Sequence, residues 1–347
     1  MLNWNRRRFL AGAAGALAAP AIARAQAADR VTLGIVNTIS DAPFFIADAK
    51  GYFRDQGLTV DIADFPSGAK MIASLGTGQL DVSGGAVSAG LYNAVERNIP
   101  IRIVGDKARN APKYGFQSIL VRQELMESGR FKDFKDLKGL KVAVPSVGSS
   151  GEQSILFEAL KKGGLAYTDC ELVFLATGDQ YAALQNKAID VTIVAEPFVS
   201  ISEKTGVAKR FTTVDTFYPN QQAAVVTFGA DLMKKREVAT RFMNAFIRGA
   251  RDYNDAQVEG KLAGKGADEV VEILAKYSKV KDKALLRAVV PSACDPDARP
   301  NVEGLQKDLE FIQTLGLVSK DMTAAQIVDL SFVEAAVRSL GPYKRAG

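Results

Sequence analysis

Four short stretches of this chain place hydroxyls, glycines and free backbone N–H groups just ahead of helical sequence. That combination can hold an anion or a carbonyl oxygen. The first is Asn37-Thr38-Ile39-Ser40-Asp41, where Thr38 and Ser40 offer hydroxyls. Ser40 or Asp41 can equally serve as a simple N-cap. The second is Ser67-Gly68. The third is Gly84-Gly85-Ala86, whose paired glycines let a ligand approach the backbone, or merely allow a tight strand–helix turn. The fourth, Val147-Gly148-Ser149-Ser150-Gly151, opens a helix after an extended run and is the strongest of the four. It matches neither a P-loop nor G-x-G-x-x-G, so no nucleotide is implied. Glu196 stands before Pro197 at another helix start. Its carboxylate can favour the helix dipole or pair with a ligand amine. Phe44, Phe45, Tyr92 and Phe198 could wall a site, though each reads first as core. Lys107, Arg109 and Lys113 could meet an anionic ligand, but read first as a solvated face.

The chain of 347 residues contains no histidine. That removes a Ser-His or Cys-His nucleophile pair and His-ligated zinc, non-haem iron or haem. No catalytic residue, metal-ligand set or cofactor site is assigned. Ser67-Gly68-Ala69-Lys70 matches S-x-x-K, and Lys204-Thr205-Gly206 matches K-T-G, both motifs of penicillin-binding enzymes. The third motif, S-D-N, is missing between them, and Lys204-Thr205-Gly206 ends an apparent helix where a strand is required. The pair is therefore read as chance. Cys170 and Cys294 are too widely separated to carry a spacing signature and are expected to be buried free thiols.

The elements that must position these residues alternate along the chain. Extended runs are expected over 31–36, 58–63, 80–83 and 101–104, with helices over 43–55, 67–75 and 86–97 between and after them. A looser charged stretch follows over 106–114. The rhythm then restarts, with strands over 116–121, 141–144, 171–175, 190–194 and 223–228 and helices over 149–162, 179–186 and 196–204. From residue 231 the pattern is almost wholly helical. This predicts an α/β protein of two lobes, each a mostly parallel sheet flanked by helices. The expected division is 28–115 with 225–347 as lobe I and 116–224 as lobe II, with crossings near 105–118 and 223–229. Ligands of such sheets sit beyond the carboxyl ends of the strands, here in a cleft between the lobes.

Residues 1–27 read as an export signal: Arg6-Arg7-Arg8, an Ala/Gly/Leu run, then Ala23-Arg24-Ala25 as a small-x-small cleavage site. The paired arginine before x-Phe-Leu resembles a twin-arginine signal, which places the mature protein in the periplasm. The formal charge is +5, but residues 1–25 hold four arginines and no acid, so about +1 remains beyond them. A nucleic-acid surface is therefore not expected. The hydrophobic content of 47% is ample for two cores.

Ala47-Asp48-Ala49-Lys50-Gly51-Tyr52-Phe53 and Gln56-Gly57-Leu58-Thr59-Val60 resemble the A-x-x-x-G-Y-F-x-x-x-G-L-x-V signature of one group of periplasmic solute-binding proteins. That group serves nitrate, taurine, alkanesulfonates and thiamine-pyrimidine precursors. Leu75 to Val82, Asp136 to Ala143 and Ala188 to Pro197 resemble three further segments of the same group, with Ala188 where Gly is frequent. The resemblance implies a type II-like binding protein, a monomer, that captures a small organic and anionic solute and delivers it to an ABC permease at the inner membrane. It implies neither cofactor nor enzyme activity. The pyrimidine synthases of the group consume their own histidine, which this chain lacks. A periplasmic enzyme or a ligand sensor on the same scaffold is the alternative.

Overall fold

A computed structural model describes residues 28–345. The export segment expected over 1–27 lies outside the described residues. The first half builds one sheet from β1 (Asp29–Ile35), β2 (Leu58–Asp64), β3 (Val82–Gly85) and β4 (Arg102–Asn110). The second sheet takes β5 (Gln117–Arg122), β6 (Lys141–Val144), β7 (Glu171–Phe174), β8 (Val191–Ala195) and β9 (Ala208–Thr213). The chain then returns, and β10 (Gln221–Phe228) completes the first sheet in the order β2-β1-β3-β10-β4. The second sheet runs β7-β6-β8-β5-β9. In each sheet the strands joined by helical crossovers pair in parallel, and the strands entering or leaving the sheet run antiparallel. The expected α/β class with two helix-flanked sheets is the one found, with both sheets mixed.

The chain passes between sheets after Asn110 and again before Gln221. The run 223–229, expected as a crossing, belongs instead to β10 and the turn that follows it. Helices α1 (Ala42–Ala49) and α2 (Tyr52–Asp55) replace the single helix expected over 43–55. Gly51 divides them in a left-handed conformation, φ 75°, that glycine adopts at little cost. A 3-10 turn at Gly68–Met71 leads into α3 (Ile72–Gly76), and α4 (Ala89–Glu96) follows β3. The second sheet carries α5 (Gln123–Glu127), α6 (Ser150–Lys162), α7 (Thr177–Gln185) and α8 (Phe198–Lys204). Beyond β10 lie α9 (Ala230–Lys234), α10 (Arg236–Asp255), α11 (Ala267–Tyr277), α12 (Lys283–Ala288), α13 (Val302–Thr314) and α14 (Ser331–Leu340).

Helix α10 shows how the first core closes. Phe242, Met243, Phe246, Ile247, Ala250 and Tyr253 recur at three- and four-residue spacing and are all fully buried. They pack with Phe44 and Phe53, whose rings lie 4.7 Å from Phe246 and 5.0 Å from Phe242. Phe44, Phe45 and Tyr92 are therefore core residues. Cys170 and Cys294 are both buried and free, in separate cores.

Candidate functional site

A cavity of about 50 Å³ lies where the carboxyl ends of the two sets of parallel strands face each other. One water needs roughly 10–15 Å³ on the same measure, so the space suits a solute of few heavy atoms. Strand β1 delivers Thr38 and Ser40, and β2 delivers Ser67 and Gly68. Strand β3 delivers Gly85 and Ala86. From the second sheet, β6 leads to Ser146 and Ser149, and β7 to Thr177. The geometry thus brings together seven of the residues that the sequence nominates: Thr38, Ser40, Ser67, Gly68, Gly85, Ala86 and Ser149.

Gly84, Gly148 and Glu196 stand outside the lining. Gly84 is inside β3, and its carbonyl accepts a hydrogen bond from Lys107 Nζ at 3.0 Å. The Gly148 carbonyl accepts from Ala89 N–H at 2.8 Å, which ties the two halves together. Ser150 begins α6. Glu196 is 1% exposed and turned to its own helix, where its carboxylate accepts from Ser200 N–H and Oγ and pairs with Arg210 at 3.1 Å. Its role as a ligand-amine partner does not fit this placement. Its main-chain carbonyl does reach the first half, accepting from Ile39 N–H at 3.1 Å.

Lys107 is the largest departure from the sequence reading. It is 1% exposed rather than solvated, lines the cavity and holds Asp41 Oδ1 at 2.6 Å. Asp41 is itself fully buried and accepts from Thr38 N–H at 2.9 Å. This pair fixes the turn whose Thr38 and Ser40 hydroxyls lie 2.8 Å apart. Burying the two charges separately would be costly; together they offset each other. An ammonium has three protons to donate, and the Asp41 and Gly84 contacts use two.

Gln117 and Glu152 also reach the cavity, and sequence reading missed both. Glu152 Oε2 accepts from Ser149 Oγ at 2.7 Å, and Oε1 lies 3.4 Å from the donating Gln117 Nε2. Loss of solvent raises the Glu152 carboxyl above its ordinary value, an effect the Ser149 hydroxyl opposes. The S-x-x-E spacing of Ser149 and Glu152 was the available signal. Among the described aromatic residues only Phe116 lines the space. The buried Ser146 Oγ has no hydrogen-bond partner among the described residues, so its capacity is open to a ligand. Among the described residues no group of three or more metal-ligating side chains comes together.

A taurine-binding periplasmic protein of Escherichia coli is 31% identical over 180 residues, 52% of this chain and 52% of that protein. A 4-amino-5-hydroxymethyl-2-methylpyrimidine phosphate synthase of Aspergillus parasiticus is 30% identical over 114 residues, 33% of this chain and 30% of that protein. The chain thus spans about half or less of the length of these curated relatives. The crystal structure of the periplasmic nitrate-binding protein NrtA from Synechocystis PCC 6803 superposes with a TM-score of 0.73 at 16% identity, covering 90% of this chain and 89% of that one. That likeness establishes the fold. The family described as NMT1/THI5 like matches residues 39–259, well over half of the chain. This protein belongs to the NMT1/THI5 like family.

Proposed function

We propose that this protein captures a small anionic solute in the cleft and delivers it to the permease of an ABC importer, working in the periplasm as a monomer. The observation that carries this reading is the cavity at the strand ends, lined by hydroxyls and by the buried Lys107 ammonium. The names of the taurine- and nitrate-binding relatives support an oxyanion such as a sulfonate. Phe116, the single aromatic among the described lining residues, favours a small aliphatic body over a pyrimidine or aromatic acid. Among the described residues no helix is long and apolar enough to cross a membrane. In this reading the lobes are 28–115 with 225–347 and 116–224, and the passages after Asn110 and before Gln221 are the hinges for closure.

Mass spectrometry of material released from freshly purified, denatured protein should find a small sulfonate or related anion. The same compound should return unchanged after prolonged incubation with the protein. A chemically altered product would instead favour the enzyme reading raised by the pyrimidine synthase relative. Failure of the emptied protein to bind nitrate, sulfonates or small carboxylates in calorimetry would count against capture of an anion.

A further inference from the structure

Among the described residues, the cleft wall holds one carboxyl without an ion-pair partner. Buried Asp41, Asp106 and Glu196 each hold a lysine or arginine, at 2.6, 3.0 and 3.1 Å. Glu152, in the cavity wall, forms no ion pair among the described residues. Among the described residues its oxygens meet neutral donors, Ser149 Oγ, Gln117 Nε2 and its own main-chain N–H, and no cation. A carboxylate has about four acceptor positions, so capacity is left facing the ligand space. The bland account, a capping box, does not describe this geometry. In a capping box the Ser149 hydroxyl would accept from the Glu152 main chain. Here α6 has no side-chain cap hydrogen bond, and the hydroxyl donates to the carboxyl instead.

A simple anion entering this cavity would meet Glu152 as a like charge or force it to take a proton. A ligand bearing an ammonium group would supply the missing partner. Lys107, held by Asp41 and Gly84 yet lining the same cavity, supplies a cation for the ligand's other end. We infer that the solute held here carries a positively charged nitrogen accepted by Glu152, so that the cleft selects a small zwitterion over a simple anion of equal size. This rests on the reading of the cleft as an anion-capturing site. It moves the amine-partner role from Glu196 to Glu152.

The test is calorimetry on the emptied, full-length mature protein with matched probes: taurine against ethanesulfonate, and β-alanine against propionate. One zwitterion should bind about tenfold or more tighter than its matched anion, as expected for pairing a desolvated charge. In Glu152→Gln that preference should vanish while binding of the simple anion is kept or strengthened, which also reports that the variant is folded. Equal or tighter binding of the simple anion by the native protein overturns the inference and leaves the anion-cleft reading standing. Binding of none of the four overturns that reading, and the inference with it. Should the variant fail to fold, the comparison on the native protein decides the matter alone.

Discussion

Replacing Lys107 by Met should destabilise the protein by about 3–5 kcal/mol, because Asp41 is then a buried charge without a partner. Denaturant unfolding measures this, and Asp41→Asn in the same chain should recover much of the loss. A cost near zero for Lys107→Met would mean that the pair contributes nothing to the turn. Asp308 gives a second prediction at this scale. It is fully buried and accepts from Tyr218 OH at 2.7 Å and Gln221 Nε2 at 2.9 Å. Burial outweighs these bonds and the nearby charge of Lys307, and lifts its pKa from 3.8 to about 7. The folded state therefore binds this proton more tightly than the unfolded state does. The sign follows: the contribution is complete below 3.8 and is lost as pH rises towards about 7. Asp106, lifted to about 6 by burial, acts in the same direction. Asp308→Asn should flatten part of that fall in stability, read as the unfolding midpoint against pH. An unchanged slope would show that Asp308 is ionised in the native protein.

At the scale of elements, close backbone approach sets the floor of the cleft. A Cβ on Gly68 would lie 2.4 Å from the Ala86 carbonyl oxygen, and one on Gly85 would lie 2.7 Å from Gly68 Cα. Gly68→Ala should therefore push the 3-10 turn off β3 and cost about 1–3 kcal/mol. Ligand affinity should fall as Ser67 moves. Gly178→Ala is the control: nothing lies within 4 Å of its Cβ, so the change should be neutral or stabilising by about 0.4–1 kcal/mol. Equal melting temperatures for the two variants would defeat the argument. The same elements show what sequence could tell. Glycine pairs and hydroxyls at strand ends were readable because turn chemistry is local. Lys107 was not, because Asp106, Lys107 and Arg109 look like a solvated loop when their partners are unseen. Strand β4 instead runs on to Asn110, with Lys107 held by Asp41 and Asp106 held by Arg109 and Gln222. Glu196 was misplaced for the same reason: Arg210 lies on β9, a polar strand with little apolar alternation to announce it.

At the scale of the molecule, the two halves meet around the cavity as well as through it. The bonds Ile39 N–H to Glu196 O and Ala89 N–H to Gly148 O cross between them, as do the ion pairs Lys204–Asp282 and Lys307–Glu158. The exposed pairs are worth little individually. The heavier contact is apolar. Phe311 on α13 stacks on Phe157 of α6 at 4.5 Å and meets Tyr167 edge-on at 5.1 Å. Helix α6 also carries Glu152, just past Ser149, so this stack holds the second half's share of the site against the first. Phe311→Ala removes a buried ring and its aromatic contacts, a loss of about 3–5 kcal/mol for a core phenylalanine. That loss falls on the closed arrangement more than on either half alone. Apparent affinity scales with the fraction of molecules able to close, so the variant should bind its solute more weakly without any change in the cavity lining. Small-angle scattering of the emptied protein should show a larger radius of gyration for Phe311→Ala than for the native chain. Saturating ligand should return both to the same value. If the emptied forms scatter identically and bind equally well, the stack does not govern closure, and the hinge strands alone must set it.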